Sequence, residues 1–524
     1  MSIKVGLVMG KKRVKDKAVL NPAIQDVDPS SSMVQYMLYD KYLLLLIAIT
    51  LLGALLRIYR LGHQSIWLDE GASFGYIQET FGGTWAKAIE SSQAPLHMVV
   101  LHFMTLFSSS EFSLRFPSAI FGTLTIPVTY FMGKRFFGKE EGIISAFLLA
   151  ISMMHLWYSQ EARMYAQMLL FASMSLYFFY VAVHDNNRNS WVLYVISSTL
   201  AFYSHYYAVF VFIPEVVFYL LLNVAIPAYK KKSLSLQDVS SLKGFLVAMA
   251  ALFISTLPLM VPFVKQAILR TSGTPTWGIG QSASFVPTML VEFSTRVPSS
   301  SAFFILLFIT GLVVAAIRQK EQCAYLGLYL FIPLLVSYIL AANMPFSPRY
   351  LLFLLPAYLI FVSRGITGIA SFLSPSKKIR ESSANNRTRN LIMLSFVLLL
   401  SVLTVPLLSQ YYTSAQKEDW RSTAVYLSDL TQNGDAVVPL PNYMYQPLVY
   451  YYSNSSDNTI LATGYGNDVQ SVASLSDQYQ RCWFLVTWDI AAANPDGSVL
   501  KWLDGNASFV NEVTGIYMFT SPKI

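Results

Sequence analysis

The sequence predicts an α-helical membrane protein that crosses the bilayer many times and carries a small α/β domain at its C-terminal end. Two observations predict this fold class. Hydrophobic residues make up 54% of the 524 residues and charged residues only 13%, about half of the ~25% that is usual in soluble domains. The apolar residues are also gathered into runs of about 17 to 25 residues, the length at which a helix crosses a bilayer.

About eleven such runs predict transmembrane helices. They begin near Tyr42, Phe112, Gly142, Met164, Trp191, Ala208, Gly244, Ser299, Cys323, Tyr350 and Leu391. A further apolar run, residues 95–107, has about 13 residues and is too short to cross. We expect it to lie on the membrane face or to dip into it.

Basic clusters between the runs predict the orientation. If the N-terminus is cytoplasmic and the short run does not cross, every cluster faces the cytoplasm, as the positive-inside rule requires. The clusters are Lys11 to Lys17, Lys134 with Arg135 and Lys139, Lys230 to Lys232, Arg318 with Lys320, and Lys377, Lys378, Arg380, Arg387 and Arg389. We therefore expect a plasma-membrane protein that faces membrane lipids, with its C-terminal part outside the cytoplasm.

Three segments follow from this topology. Residues 1–40 are predicted to form a basic cytoplasmic tail, residues 41–409 a transmembrane domain with a first outer loop at 60–111, and residues 410–524 a soluble extracytoplasmic domain. Within the last segment, 419–430 and 469–479 have helical spacing, whereas 436–440 and 482–487 read as short buried strands. This order predicts the α/β domain.

The net charge of +8 does not predict a nucleic-acid partner, because the basic residues lie in short clusters between apolar runs. Cys323 falls in an apolar run and Cys482 in the polar C-terminal part. The sequence therefore predicts neither a disulfide between them nor a metal–thiolate site.

Ionisable and aromatic residues from several separate loops share the predicted outer face. Each has an ordinary interpretation, as a solvated loop residue, a snorkelling arginine or part of an aromatic belt. Together they suit a lipid phosphate, because arginines bind phosphate with paired hydrogen bonds and a carboxylate can take a proton from a hydroxyl. This pattern alone does not specify sugar transfer. The residues are Asp69, Glu70, His97, Glu111, Arg115, Glu161, Arg163, Tyr165, His205, Lys265, Arg270, Arg349 and Tyr350.

Short motifs in a fixed order carry a family resemblance. Leu68-Asp69-Glu70, Ala94-Pro95-Leu96-His97, residues 113–119 and residues 158–166 resemble segments of the C-type (GT-C) glycosyltransferases. The similarity is greatest to glycosyltransferase family 39, the branch of dolichyl-phosphate-mannose-protein mannosyltransferases and aminoarabinose transferases. Residues 348–352 and 419–421 are also similar, so the resemblance covers most of the membrane part. Two features depart from relatives: many have two prolines where this chain has Ala94-Pro95, and the Trp-Trp-Asp motif of oligosaccharyltransferases is absent from the sequence.

The resemblance implies a polyprenyl- or dolichyl-phosphate sugar donor and an extracytoplasmic active site. Asp69 would be the general base, and Glu70 would orient the acceptor or bind a metal. No cofactor follows with certainty; a divalent metal ion is left open, with Asp69, Glu70 and Glu161 as candidate ligands. The substrate-binding residues that the resemblance implies are Glu161, Arg163, Tyr165, Arg349, Tyr350, Arg115, His97 and His205. Of these, Arg163, Arg349 and Arg115 would bind the donor phosphate.

The function implied is transfer of a hexose or pentose, mannose among them, to an acceptor hydroxyl by inverting displacement. The acceptor is a lipid, a glycan or a protein. The main alternative is a transporter or flippase for a polyprenyl-linked or anionic solute, and a third is a scaffold that presents the outer domain. Transporters often have paired halves with broken helices, whereas this sequence has no obvious internal repeat.

Overall fold

The computed structural model describes residues 40–229, 236–272, 279–374, 383–452 and 460–522. Residues 46–524 form one compact unit, to which the contacts below belong. The predicted cytoplasmic tail and the basic residues Lys11 to Lys17, Lys230 to Lys232 and Lys377 to Arg380 lie outside the described residues, apart from Asp40.

The membrane part is a succession of helices. Short 3-10 segments at Tyr206–Ala208, Leu257–Leu259 and Pro348–Leu354 and a π-helical turn at Leu221–Ala225 adjoin five of them. The helices are α1 (Lys41–Ile58), α2 (Leu68–Tyr76), α3 (Phe81–Glu90), α4 (Leu96–Thr105), α5 (Glu111–Phe136), α6 (Lys139–Ile151), α7 (Met153–Ser159), α8 (Tyr165–Asp185), α9 (Arg188–Ser204), α10 (Val209–Leu220), α11 (Ile226–Tyr229), α12 (Leu236–Thr256), α13 (Met260–Thr271), α14 (Phe285–Ser294), α15 (Pro298–Arg318), α16 (Lys320–Leu340), α17 (Leu355–Leu373) and α18 (Ser383–Thr413).

Each predicted apolar run coincides with a helix, and the fold class is confirmed. Eight helical segments in the described part of the chain are long and apolar enough to cross a membrane, or nine if the pair α6 and α7, bent by 59°, counts as one span. Helices α5 and α9, which match two more predicted runs, do not meet the same measure. The short run forms α4, whose ten residues extend only about 15 Å.

A buried arginine stabilises the bend between α6 and α7. Arg57 of α1 donates hydrogen bonds to the carbonyl oxygens of Leu149 (3.2 Å) and Ala150 (3.1 Å) and to His155 Nδ1 (2.7 Å). A helix that ends at a break leaves carbonyl groups without hydrogen-bond donors. The Arg57 guanidinium supplies donors for two of these carbonyl groups. The bend thereby fixes the direction of α7, which leads into the outer loop at residues 160–164.

Charged residues pair at the end of the bundle opposite to the start of α5. Arg135 contacts Asp185 (2.5 Å), Arg364 contacts Glu141 (2.7 Å), and Arg389 pairs with Glu140. Because α5 has 26 residues and is therefore about 39 Å long, these pairs lie far from its first turn. Arg135 and Arg389 belong to two of the basic clusters that the sequence predicts to be cytoplasmic. In the structure both residues lie at this end of the bundle.

The C-terminal part folds as a mixed sheet between helices. The strand order is β2-β1-β3-β5-β4, with β1 parallel to β2 and β3 and with β5 antiparallel to β3 and β4. The predicted strands are β1 and β3, and they are neighbours. The elements are α19 (Trp420–Leu430), β1 (Ala436–Leu440), α20 (Tyr445–Tyr452), β2 (Ile460–Leu461), α21 (Val469–Gln478), β3 (Cys482–Thr487), α22 (Ile490–Ala493), α23 (Ser498–Asn506), β4 (Ser508–Val513) and β5 (Ile516–Ser521), with a 3-10 turn at Asn442–Met444.

Alternate side chains of the strands fill two cores. Val438 packs with α21 and α23 on one face of the sheet, whereas Val437 packs with α19 and α20 on the other. Leu68 of the first outer loop packs against this second core, so the sheet domain is docked on that loop. Cys323 and Cys482 are both free thiols.

Glycines allow helices α15 and α17 to pack closely. A Cβ atom added at Gly311 would collide with the Phe361 carbonyl oxygen, and one added at Gly365 would collide with the Leu307 carbonyl oxygen. Small residues at such interfaces let helix backbones approach each other in membranes. Helix α17 in turn continues from the segment Pro348–Leu354, which carries Arg349 and Tyr350.

We expect Gly311→Val to destabilise the protein, because backbone atoms cannot move aside as a flexible side chain can. Overpacking typically costs about 1–3 kcal/mol, so the melting temperature in detergent should fall by several degrees. Gly327→Val is the matched control, since the nearest atom to its added Cβ is Phe331 Cδ2 at 4.0 Å. Equal melting temperatures for the two variants would contradict this packing.

Candidate active site

The predicted catalytic acids occupy the first turn of α2 but face different surroundings. Asp69 and Glu70 are consecutive, and consecutive residues of a helix point about 100° apart around its axis. Glu70 is consequently buried at 1% exposure, whereas the Asp69 side chain is 24% exposed. Of these two acids, only Asp69 has a carboxylate that solvent can reach.

Glu70 is fully engaged within the protein. Its Oε1 accepts hydrogen bonds from Arg115 Nε (2.8 Å) and from the Ala162 backbone N–H (2.8 Å), and its Oε2 accepts from Arg115 Nη2 (2.7 Å) and Lys417 Nζ (3.0 Å). Burial raises the pKa of Glu70, but the charges of Arg115 and Lys417 and these hydrogen bonds outweigh burial and hold that pKa well below its usual range.

Arg115 is equally committed. Besides the two bonds to Glu70, its Nη atoms donate to the carbonyl oxygens of Leu61, Gln64 and Ser65, which uses all the N–H groups of a guanidinium. The sequence analysis predicted a catalytic role for Glu70 and phosphate binding for Arg115. In the structure these two side chains bind each other instead. Together they join the outer loop to the start of α5.

Two arginines from distant parts of the chain meet at Asp69. Arg349 Nη1 lies 3.0 Å from Asp69 Oδ2, and Arg163 Nε lies 3.9 Å from the same oxygen. Arg163 also donates to the Asp69 carbonyl oxygen (3.1 Å) and to Ser73 Oγ (2.9 Å). Both arginines approach Oδ2, so Oδ1 is the oxygen that faces away from them.

Glu161 lies close to this group but in a more apolar position. Its Oε1 accepts a hydrogen bond from Trp157 Nε1 (2.8 Å) and lies 3.8 Å from Lys417 Nζ. Its Oε2 is buried and has no hydrogen-bond partner among the described residues. Burial raises the pKa of Glu161, the carboxylates of Glu70 and Asp69 raise it further, and Lys417 partly opposes them.

Lys417 is a site residue that the sequence analysis missed. It lies between the carboxylates of Glu70 and Glu161, and its Nζ is 5.7 Å from the Trp67 ring centroid. Burial is the largest influence on its pKa and lowers it. The signal was indirect, because Lys417 lies two residues before Asp419-Trp420-Arg421, the segment in which the family resemblance reaches the C-terminal part.

The segment around Lys417 is fixed at both sides. Arg421 donates to Glu111 Oε1 (2.6 Å) and to the Gly62 carbonyl oxygen (3.0 Å). Gln416 N–H donates to Gln64 Oε1 (3.0 Å). The connection between α18 and α19 is thereby held on the first outer loop, which places Lys417 between the acids.

The predicted aromatic and histidine residues form a second layer. His205 lies 5.8 Å from Tyr350 and 5.9 Å from Tyr165 between ring centroids, and Arg349 lies 5.8 Å from both tyrosine rings. His97 is buried beside Gln167 (3.0 Å), and burial lowers the pKa of this imidazole to about 4. His97 is therefore neutral at physiological pH.

Two cavities have walls that include an arginine paired with Asp69. The polar cavity, of about 400 Å³, lies between the outer loops and the sheet domain. The apolar cavity, of about 290 Å³, lies among membrane helices. Arg349 lines the first and Arg163 the second, so Asp69 contacts one residue of each. The polar cavity is lined by Trp67, Trp157, Tyr158, Glu161, Arg296, Arg349, residues 415–418, Trp488, Thr514 and Gly515.

The apolar cavity combines a hydrophobic wall with a few polar groups. Arg163, Tyr165, His205, Arg270 and Tyr350 are joined there by side chains from α10, α13 and α16. Such a mixture fits a ligand that has a charged head and a hydrocarbon tail.

The described residues contain no cluster of three or more His, Cys, Asp or Glu arranged to hold a metal ion. The candidate ligands Asp69, Glu70 and Glu161 each face a cationic side chain instead. As arranged, they do not fit a divalent cation.

We expect Glu70→Gln to unfold more easily than the parent protein, because it leaves Arg115 buried without its anion. Breaking a buried pair costs about 3–5 kcal/mol. Glu79→Gln is the control, since its partner Lys87 is 3.6 Å away and both side chains are about half exposed, and exposed pairs contribute only ~0–1 kcal/mol. Thermal unfolding in detergent measures both, and a Glu70→Gln variant as stable as Glu79→Gln would contradict the role given to this pair.

Comparisons with known proteins bear on the family and the fold of this chain. Residues 92–254 match the profile of the family described as dolichyl-phosphate-mannose-protein mannosyltransferase. An uncharacterized protein of Aquifex aeolicus (strain VF5) is 26% identical over 191 residues, a match that covers 35% of this chain and 38% of that protein. The chain thus matches little more than a third of the length of this relative.

Solved structures resemble the chain over nearly its whole length. ArnT from Cupriavidus metallidurans bound to undecaprenyl phosphate is 13% identical, with a TM-score of 0.54 over 93% of this chain and 99% of that chain. The oligosaccharyltransferase AglB from Archaeoglobus fulgidus, in complex with an inhibitory peptide and a dolichol-phosphate, is 11% identical, with a TM-score of 0.57 over 92% of this chain and 74% of that chain. The chain therefore has the fold of the C-type glycosyltransferases that its motifs resemble, and residues 92–254 match the dolichyl-phosphate-mannose-protein mannosyltransferase family.

Proposed function

We propose that the chain is a membrane glycosyltransferase that transfers one sugar from a polyprenyl- or dolichyl-phosphate carrier to an acceptor hydroxyl. The observation that carries this proposal is the Asp69 carboxylate held between Arg163 and Arg349. Each arginine lines a different cavity, so each place where a substrate can enter has in its wall one cationic group that contacts this carboxylate.

The donor would occupy the apolar cavity. Its hydrophobic wall suits an isoprenoid chain, and Arg163 and Arg270 supply positive charge for the phosphate. Guanidinium groups bind phosphate through paired hydrogen bonds. The similar structures were solved with undecaprenyl phosphate and with a dolichol-phosphate, which supports a lipid phosphate of this class. Tyr165, Tyr350 and His205 would contact the sugar or the phosphate.

The reaction would be a direct displacement. The acceptor hydroxyl gives its proton to Asp69 Oδ1 while its oxygen forms a bond to the anomeric carbon. The bond from that carbon to the phosphate oxygen breaks and leaves its electron pair on the lipid phosphate, whose charge Arg163 and Arg349 stabilise. Attack from the side opposite to the phosphate inverts the anomeric carbon.

The remaining predicted residues take supporting roles in this proposal. Glu70 and Arg115 hold the loop that carries Asp69. His97 contacts Gln167 at the start of α8, next to Tyr165. The sugar is a hexose or a pentose, with mannose as one candidate, and the acceptor is a lipid, a glycan or a protein.

The proposed orientation follows the charge distribution. Basic residues at the end of the bundle opposite to Asp69 would face the cytoplasm. Asp69 and residues 410–524 would then face the outside of the plasma membrane, and residues 1–40 would lie in the cytoplasm.

We expect Asp69→Asn to abolish transfer while the protein still folds. The substitution keeps the side-chain shape at a partly exposed position but removes the proton acceptor, and loss of a general base costs about 10²–10⁴-fold in rate. The assay supplies purified protein with a panel of radiolabelled polyprenyl-phosphate sugars and measures the label that passes to cell extract. In a transporter or flippase, the bond between sugar and phosphate would stay intact.

The matched control is Asp429→Asn, at an exposed position of α19. It should transfer sugar at the rate of the parent protein. Full activity of Asp69→Asn would remove the base assignment, and a parent protein that releases no label from any donor would remove the proposed function.

Cysteine labelling tests the orientation. In a Cys323→Ala background, Ser414→Cys should react with a membrane-impermeant maleimide in intact cells, because Ser414 is exposed just after α18. Lys320→Cys, exposed at the start of α16, should react only after the cells are permeabilised. The reverse pattern would overturn the orientation.

A further inference from the structure

We propose that the polar cavity binds the acceptor as a saccharide and that the sheet domain contributes to this site through Trp488. This inference rests on the proposed function, because it assigns the acceptor side of the same active site. It is carried by polar and charged side chains, by aromatic side chains and by the origin of the cavity walls.

The wall of this cavity carries many polar and charged side chains. Glu161, Arg296, Arg349, Lys417 and Glu418 all take part in it. These side chains include both hydrogen-bond donors and acceptors, so a ligand that offers both kinds of partner fits this cavity better than an apolar one.

Sugar hydroxyl groups supply both kinds of partner. Each hydroxyl donates one hydrogen bond and accepts others, so neighbouring hydroxyls on one ring can face guanidinium, ammonium and carboxylate groups together. An apolar ligand would displace water from these groups without replacing its hydrogen bonds.

Aromatic side chains line the same cavity. The rings of Trp67, Trp157, Tyr158 and Trp488 take part in its wall. The face of an aromatic ring is electron-rich and attracts the weakly positive C–H groups on one side of a sugar ring. Hydroxyl-binding atoms and aromatic faces in one cavity are therefore complementary to the two kinds of surface that a saccharide presents.

Trp488 is the part of this wall that the sheet domain holds out to solvent. It is 71% exposed, although an indole ring gains free energy when it is buried. Its Nε1 donates to Glu418 Oε1 (3.0 Å), which keeps the ring at the edge of the cavity. The ring is therefore available to contact a ligand in the cavity.

Arg296 adds a strained residue on the opposite side of the cavity. Its backbone has a φ of 64°, a left-handed conformation that is uncommon for residues other than glycine. Its guanidinium lies 4.8 Å from the Trp157 ring centroid, and its Nε lies 3.0 Å from Glu292 Oε2. This cation–π contact keeps Arg296 and Trp157 together in the wall.

The walls indicate which substrate enters. The apolar cavity is built from membrane helices, whereas the polar cavity includes residues 415–418, Trp488, Thr514 and Gly515. A lipid-linked donor must keep its chain in the bilayer, so its entry lies on the helix side. The second substrate therefore enters from the side of the sheet domain. A volume of about 400 Å³ is that of a small-molecule pocket, in which a short saccharide fits better than an extended peptide.

The test uses full-length protein, fluorescently labelled in detergent, on an array of short neutral and acidic oligosaccharides together with Ser- and Thr-containing peptides. We expect binding to oligosaccharides and not to peptides. Titration with the best-bound oligosaccharide should show affinity about tenfold weaker or more for Trp488→Ala, as expected for loss of one aromatic contact, and for Glu161→Gln. Phe509→Ala, at a 58% exposed aromatic of the same domain outside the cavity, should bind like the parent protein.

A second measurement separates this site from the donor site. Binding of a fluorescent undecaprenyl phosphate should be unchanged in Trp488→Ala. If the array shows no bound saccharide, if peptides bind through Trp488, or if Trp488→Ala binds saccharide like the parent, the inference is overturned. If the parent protein binds saccharide but not undecaprenyl phosphate, the proposed donor fails and the saccharide site stands.

Discussion

The buried contact between Glu70 and Arg115 is the interaction on which the rest of the site depends. It joins α2 to the start of α5, and Glu70 also binds the Ala162 N–H and Lys417. Segments far apart in the sequence therefore meet at one carboxylate. Burying these charges costs several kcal/mol per ion, about as much as their attraction returns. The arrangement is tolerable only because nearly every donor and acceptor in it is used, which favours a single geometry over nearby alternatives.

This constraint explains why two neighbouring acids have separate roles. Once Glu70 is fixed inward, the helical geometry of α2 turns Asp69 outward, toward Arg163 and Arg349. A position that is both partly exposed and flanked by arginines cannot be provided by Glu70. The inward position of Glu70 thus determines where the Asp69 carboxylate lies. The Asp-Glu pair in the sequence does not by itself show which acid points inward.

Much of the fold could be predicted from the sequence, because it depends on run length and periodicity. Each long apolar run became a helix, and the strands at 436–440 and 482–487 were recognisable from short apolar segments between turns. The number of spans was harder to predict: α5 carries Arg115 near its start, and α9 has only 17 residues. Part of the surface of each helix is buried against neighbouring helices. A helix of this kind can therefore have a lower mean hydropathy than one that faces lipid on most sides.

The site was predictable in its location but not in its pairing. Convergence of Asp69, Glu161, Arg163 and Arg349 followed from their common membrane level, and the structure brings them together. Nothing in a linear sequence indicates which arginine a given acid will take, so Arg115 could not be separated from Arg163 before the structure. The sequence analysis did not predict Lys417 and the cavity tryptophans as site residues, for a related reason. Their local patterns are those of a solvated linker and an aromatic belt, and only tertiary contacts distinguish them from either.

The position of Lys417 gives the C-terminal part an electrostatic role in the candidate active site. Glu70 lies in α2 and Glu161 in the loop between α7 and α8, and without a cation between them burial would favour the neutral form of at least one acid. That cation arrives from the segment that joins α18 to α19, which Arg421 fixes to Glu111. The carboxylates of Glu70 and Glu161 therefore have Lys417 as a cationic partner only when the sheet domain is docked. The same docking forms part of the wall of the polar cavity, so the electrostatics around Glu70 and Glu161 and the shape of this cavity depend on one interface.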